Sequence, residues 1–312
     1  MYKILNGQGL GVSGRQNELI ELALTHKFQG VEVDMEDLVG RHDTLGKQFA
    51  CQFLQSANID VGTFELPIDF GVANDDFAAY SQKLDTIADL GQTLGAKRCY
   101  VLLNPTNDKF AFQENFENHR SRIAEVADKF EKAGIKIGLA VQAAKAQSAA
   151  GDYKFIQTVE ELLTLVKTIG HANVGVCLDT WEWVVGGGAM DQLGDIDIAN
   201  LTELRMADVS DDANPSDIKN SDRVSPGDGT DSVSLKIINQ LLDSGFEGPF
   251  SVATDAGMYA GVQRDSVVSG ISTRLDRLMA KESLVDPVEP SEEEGEGEAE
   301  STDDKKPATT AS

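Results

Sequence analysis

Basic residues are scarce in this 312-residue chain: 27 lysines and arginines face 52 acids, for a formal net charge of −25. A phosphate-binding surface needs a basic stripe, so the deficit argues against nucleic acid as a partner. It argues equally against docking on anionic membranes. No apolar run approaches the roughly 20 residues that span a bilayer. Met1-Tyr2-Lys3-Ile4-Leu5-Asn6 lacks the apolar core of a secretory leader. The three cysteines, Cys51, Cys99 and Cys177, form no CxxC pair and read as reduced core thiols of a cytoplasmic protein. Only four histidines are present. A histidine-rich metal centre is therefore hard to assemble.

The acid is uneven. Residues 285–312 carry ten of the acids and two lysines, with almost no large apolar residue after Val288. Such a stretch cannot bury enough surface to offset the entropy of ordering, so a disordered acidic tail is expected there. The rest, residues 1–284, reads as one domain.

Within that domain, short β-rich runs alternate with amphipathic ones. The β-rich runs are Lys3–Leu5, Gly30–Val33, Ile59–Phe64, Arg98–Leu103, Ile135–Ala140, Val174–Leu178, Leu204–Val209 and Pro249–Val252. Helical periodicity marks Gln16–Thr25, Phe77–Leu94, Phe116–Ala133, Thr158–Ile169, Leu235–Ser244 and Asp265–Lys281. Ser13 with Gln16 suggests a capping box for the first helix. The sixth unit has the poorest helix, because Gly186-Gly187-Gly188 interrupts it. Eight strand-then-helix units predict an α/β fold of (β/α)8 type, a TIM barrel. A competing signal is Gly9-Leu10-Gly11-Val12-Ser13-Gly14, which matches GxGxxG, with Asp34 twenty residues beyond. An NAD-binding oxidoreductase built on Gly9, Gly11 and Gly14 is the minor reading. Asn6-Gly7-Gln8 separates strand from fingerprint, and the later strands show no break between two nucleotide-binding halves.

Barrel chemistry sits at the C-terminal ends of the strands. In chain order these offer Asn6 and Gln8, Glu32 and Asp34, Glu65, Asn104, Gln142, Asp179 to Glu182, Arg205 and Asp208, and Asp255. His26 and His171 fall on helix-to-strand turns and His119 in a helix. Only His42 is expected on a mouth loop.

Five stretches then carry a family likeness: Phe28-Gln29-Gly30-Val31-Glu32-Val33, Gly134-Ile135-Lys136-Ile137, Val176-Cys177-Leu178-Asp179-Thr180, Arg223-Val224-Ser225-Pro226-Gly227-Asp228-Gly229 and Gly245-Phe246-Glu247-Gly248-Pro249-Phe250-Ser251-Val252. In order and spacing the chain resembles the sugar phosphate isomerase/epimerase superfamily over about residues 1–275. These are the xylose isomerase-like barrels that include tagatose epimerases, inosose dehydratases and endonuclease IV. The resemblance implies a divalent metal held by Glu, Asp, His and Glu on strands five to eight. Carried across position by position, the first Glu falls on Ala140, or on Gln142 with a gap. The Asp is kept as Asp179, the His falls on Arg205, and the last Glu on Ala253. A further family His falls on Glu182.

The departures imply a degenerate metal site, because two ligating carboxylates and both acid–base groups are gone. Arg205 is expected to fill the vacancy and pair with Asp179. The expected substrate-binding residues are Glu32, Asp179, Trp181, Glu182, Arg205 and Arg223. The resemblance implies that Arg223 contacts an anionic or hydroxylated ligand, and Trp181 or Trp183 could stack on a sugar face. The leading expectation is a barrel that binds a sugar or polyol, or its phosphate, as a non-catalytic or chemically altered member needing no cofactor. The alternative is an active isomerase or epimerase with a relocated Mg²⁺ or Mn²⁺ site on Asp179, Glu182, Asp208 and Asp255.

Overall fold

The computed structural model describes residues 1–143, 151–282 and 284. The expected tail, 285–312, lies outside the described residues. Eight strands are set by short β-branched and apolar runs: β1 Tyr2–Leu5, β2 Gly30–Val33, β3 Asp60–Phe64 and β4 Arg98–Leu102. They continue with β5 Lys136–Ala140, β6 Val174–Asp179, β7 Leu201–Met206 and β8 Pro249–Val252. They pair in parallel in the order β3-β2-β1-β8-β7-β6-β5-β4. A parallel bridge from Glu65 to Tyr100 joins the two outer strands, and the Leu66 amide donates to the Tyr100 carbonyl at 2.8 Å. The ring closes. The fold is the expected (β/α)8 barrel.

Helices wrap the outside: α1 Gln16–Thr25, α2 Met35–Leu45, α3 Lys47–Ala57, α4 Asn74–Thr93 and α5 Phe112–Lys132. Then come α6 Val159–Ile169, α7 Thr180–Val185, α8 Val233–Asp243 and α9 Arg264–Met279. Each buries one stripe. On α5 that stripe is Ile123, Val126, Ala127 and Phe130, all inaccessible to solvent. A side chain so buried contributes about 1.5–3 kcal/mol of transfer free energy. At α6, Thr158 and Glu161 form a reciprocal capping box that satisfies two otherwise orphaned amides.

Four expectations need correction. Strand β7 begins at Leu201, three residues early, because Thr202 and Glu203 face a polar barrel interior that an apolar-run criterion misses. His42 is not on a mouth loop but in α2, beside Asp43. Ser13 caps nothing, since Arg15 is the N-cap of α1 and supplies no side-chain bond. Two glycines of the fingerprint are accounted for by packing: a Cβ on Gly11 (φ +65°) would run into the Ala256 carbonyl, and one on Gly9 would lie 2.7 Å from the Asn6 amide. Asp34, the acid twenty residues on, caps α2 through the Asp37 amide at 3.0 Å. The three cysteines are buried and unpaired. No described helix is long and apolar enough to cross a membrane.

Candidate ligand site at the barrel mouth

The C-terminal end of the barrel divides into an open half and a filled half. The open half is a cavity of about 1190 Å³, bounded by the segments that follow β1 to β5. Its lining includes Glu32, Asp34, Glu65, Asp69, Asn104 and Gln142. Glu32, next to last in β2, points inward, and the period of two puts its neighbours Val31 and Val33 into the apolar layer under the helices. Asn104 donates to Asp69 at 2.9 Å, and Gln142 donates to the Leu103 carbonyl at 3.0 Å.

Beneath this cavity lies a buried network around Arg205. Its Nε donates to Glu203 at 3.1 Å and a terminal nitrogen to Glu32 at 2.8 Å. The guanidinium lies 3.8 Å from the centroid of the Tyr100 ring. The Tyr100 hydroxyl donates to Glu32 at 2.6 Å and reaches Glu65 at 3.4 Å. Ser251 donates to the other Glu203 oxygen at 2.7 Å. Burial alone would depress the Arg205 pKa, but Glu203 and Glu32 hold it well above the usual guanidinium range. Burial raises the Glu203 carboxyl, with Arg205 opposing. Burial, and then the charge of Glu32, raises the Glu65 carboxyl too.

The filled half holds a second network. A two-residue antiparallel ladder, Asp208–Val209 with Arg223–Val224, folds the loop after β7 back across the mouth and carries Arg223 inward. Arg223 donates to Asp179 at 2.9 Å, to Glu182 at 2.8 Å and to the Ala253 carbonyl at 3.0 Å, and lies 4.4 Å from the Trp181 ring. The other Asp179 oxygen accepts the Trp181 and Glu182 amides, both at 3.0 Å, and so starts α7. Glu182 also accepts the Ala143 amide at 2.6 Å. Burial and the adjacent Asp179 raise its carboxyl to about 7, against the opposing pull of Arg223.

The expected pairing of Arg205 with Asp179 is therefore wrong: Arg205 holds Glu32 and Glu203, and Arg223 holds Asp179. Strand parity alone does not say which acid lies across the barrel. Trp181 and Trp183 are buried, with Trp181 under Arg223 and Trp183 against Gly188, so neither presents a face to the cavity. Nor are the four acids of the alternative metal site brought together. Asp208 accepts the Gly227 amide at 2.7 Å, the Ser234 amide at 3.1 Å and the Ser232 hydroxyl. Asp255 accepts the Gly257 amide at 3.2 Å. Among the described residues, the one group of three or more side chains spaced to share a metal is Asp128, Glu131 and His171, on the outer surface. The inherited metal positions fare no better as a donor set. Ala140 packs with Tyr100 and Cys177, Ala253 offers its carbonyl to Arg223, and both Asp179 oxygens are engaged. A divalent cation does not fit them.

The sequence did not single out Tyr100 and Ser251, because mid-strand positions read as core, or Glu203, because it lies before the expected start of β7 at Leu204. The signal available was a charged residue in a strand at the same parity as Arg205.

A closed barrel with its polar constellation at the C-terminal mouth defines the class. Within it, the chain belongs to the Xylose isomerase-like TIM barrel family, whose pattern matches residues 20–266. A xylose isomerase domain protein from Alicyclobacillus acidocaldarius is similar in structure, with TM-score 0.79 and 22% identity, covering 90% of this chain and 98% of that one. The IolI protein, crystallised with a zinc atom, gives TM-score 0.76 and 18% identity over 91% and 100%. D-psicose 3-epimerase from Clostridium cellulolyticum, crystallised with D-tagatose, gives 0.67 and 16% over 86% and 94%. At these identities the likeness establishes the shared fold. No curated protein matches the sequence significantly.

Proposed function

We propose that this chain binds a sugar or polyol in its mouth cavity without the metal chemistry of its family, as a non-catalytic or chemically altered member. One observation carries the reading. The inherited ligand positions are two alanines, an arginine and an aspartate whose oxygens are already used, while the cavity beside them stays open. The ligand class is supported by the relative crystallised with D-tagatose. A buried guanidinium bonded to two carboxylates supplies in each network the positive charge that an ion would otherwise bring. The three buried, unpaired thiols support a cytoplasmic setting.

Elemental analysis of the purified protein, with thermal-shift screening of sugars and polyols with and without Mn²⁺, tests this. The expected outcome is no stoichiometric divalent ion and stabilisation by at least one sugar or polyol, unaltered by Mn²⁺. A stoichiometric ion, or a shift that needs Mn²⁺, overturns it.

A further inference from the structure

We infer that the mouth cavity selects its ligand by charge: it takes a hydroxylated molecule bearing an ammonium group, held at Glu65, and rejects phosphorylated sugars. The inference rests on the reading of this cavity as a sugar or polyol site and adds the substrate class.

Charge around the cavity is one-sided. Six carboxylates line it, Glu32, Asp34, Glu36, Asp37, Glu65 and Asp69, against two arginines. Each arginine already has a carboxylate partner. Arg15 is paired with Glu18 at 2.8 Å and Arg41 with Asp37 at 2.7 Å. The two buried arginines that the sequence offers for anion recognition are each held by two acids: Arg205 by Glu32 and Glu203, and Arg223 by Asp179 and Glu182. A phosphate entering here would meet uncompensated negative potential and lose its water.

Glu65 differs from the other half-buried acids of the lining, Glu32 and Asp69; Asp34 and Glu36 are exposed. Glu32 has Arg205, Asp37 has Arg41, and Asp69 is held by the Asn104 amide and the Gly71 backbone. The structure assigns Glu65 one long contact, to the Tyr100 hydroxyl, and no salt bridge to a described residue. It is a half-buried carboxylate facing open space, and burial next to Glu32 already works against its charge. An ammonium group relieves both penalties, supplying a positive charge and N–H donors where a neutral hydroxyl supplies one donor. A divalent ion is the poorer fit, because no three lining acids converge within ligation distance of one another among the described residues. Gln142, Asn104 and Gln8 on the same walls offer amide groups for hydroxyls.

Titration calorimetry with matched trios decides the matter: D-glucose, D-glucosamine and D-glucose 6-phosphate, and the corresponding D-galactose and inositol sets. In at least one trio the amine is expected to bind at least about tenfold tighter than its neutral parent, the worth of one charged hydrogen bond. The phosphate is expected to be the weakest member, and added salt should shrink the amine's advantage. Glu65→Gln, with folding checked by its melting curve, should bring the amine-to-parent ratio to about one. Neutral parents that bind as well as the amines overturn the charge selection and leave the sugar or polyol reading standing. So does a phosphate that binds tightest. An amine preference that survives Glu65→Gln overturns the assignment to Glu65. If no member of any trio binds, both this inference and the reading it rests on fall.

Discussion

The two halves of the mouth handle buried charge in opposite ways. Around β1 to β5 the acids outnumber their cations and leave a cavity, with Glu65 unpaired by any described base. Around β6 to β8 the buried arginine is fully engaged: Arg223 bonds to both Asp179 and Glu182, and Trp181 closes the space behind them. The contrast separates a region bonded within itself from one left open. A fully satisfied buried network specifies and rigidifies structure, whereas an unsatisfied charge beside open space is poised for something else to complete it. The half around Asp179 is bonded internally, and the half around Glu65 holds the open cavity.

The largest effect on that contrast should come from Arg205, which underpins the open half. Arg205→Ala leaves Glu203, with no solvent exposure, and Glu32 facing each other without a cation. Urea unfolding should show a loss of about 3–5 kcal/mol, the usual cost of breaking a buried pair. A loss under about 1 kcal/mol would mean that water reaches the two acids, as surface pairs allow.

Arg223→Ala should cost slightly less, about 3 kcal/mol, because both of its charged partners retain some exposure and Asp179 keeps its two backbone donors. The same network predicts a pH signature. Glu182 is raised in the folded protein from 4.5 to about 7, so between those values the folded state holds a proton that the unfolded state has released. Stability contributed by this group is therefore greatest at low pH and falls as pH rises through that window. The slope is at most about 1.4 kcal/mol per pH unit. Comparing wild type with Glu182→Gln across pH 4.5 to 7 should isolate it; identical slopes would remove Glu182 from the account.

Gly11→Ala should have the smallest effect. Its positive φ and the nearby Ala256 carbonyl make any side chain strained, at about 2 kcal/mol. Because the strain falls on the loop walling the cavity, ligand affinity should fall along with the melting temperature. Unchanged stability would show that the loop shifts freely, and the halves would then differ less in rigidity than their hydrogen bonding indicates.

Much of the fold was legible because barrel strands and helices carry separate periods, two and 3.6, in a fixed alternation. The exceptions were α2, whose His42 was expected on a mouth loop, and β7, where Thr202 and Glu203 break the apolar run and yet belong to the strand. The site was legible only as a list. Glu32, Arg205, Asp179 and Arg223 could be placed at strand ends or on the loop after β7, but their partners could not. Arg205 and Glu32 stand 173 residues apart in the chain and meet across the barrel interior. Arg223 reaches Asp179 through a two-residue ladder that no periodicity announces.

By itself, then, the sequence determined the barrel, through its alternating periods, and which residue types stand at the ends of its strands. Only the tertiary structure decided which arginine neutralises which acids and which carboxylate is left over. Those outcomes depend on distances across the closed ring. Buried charges make pairing obligatory, but they leave the choice of partner to whatever the fold brings within about 3 Å.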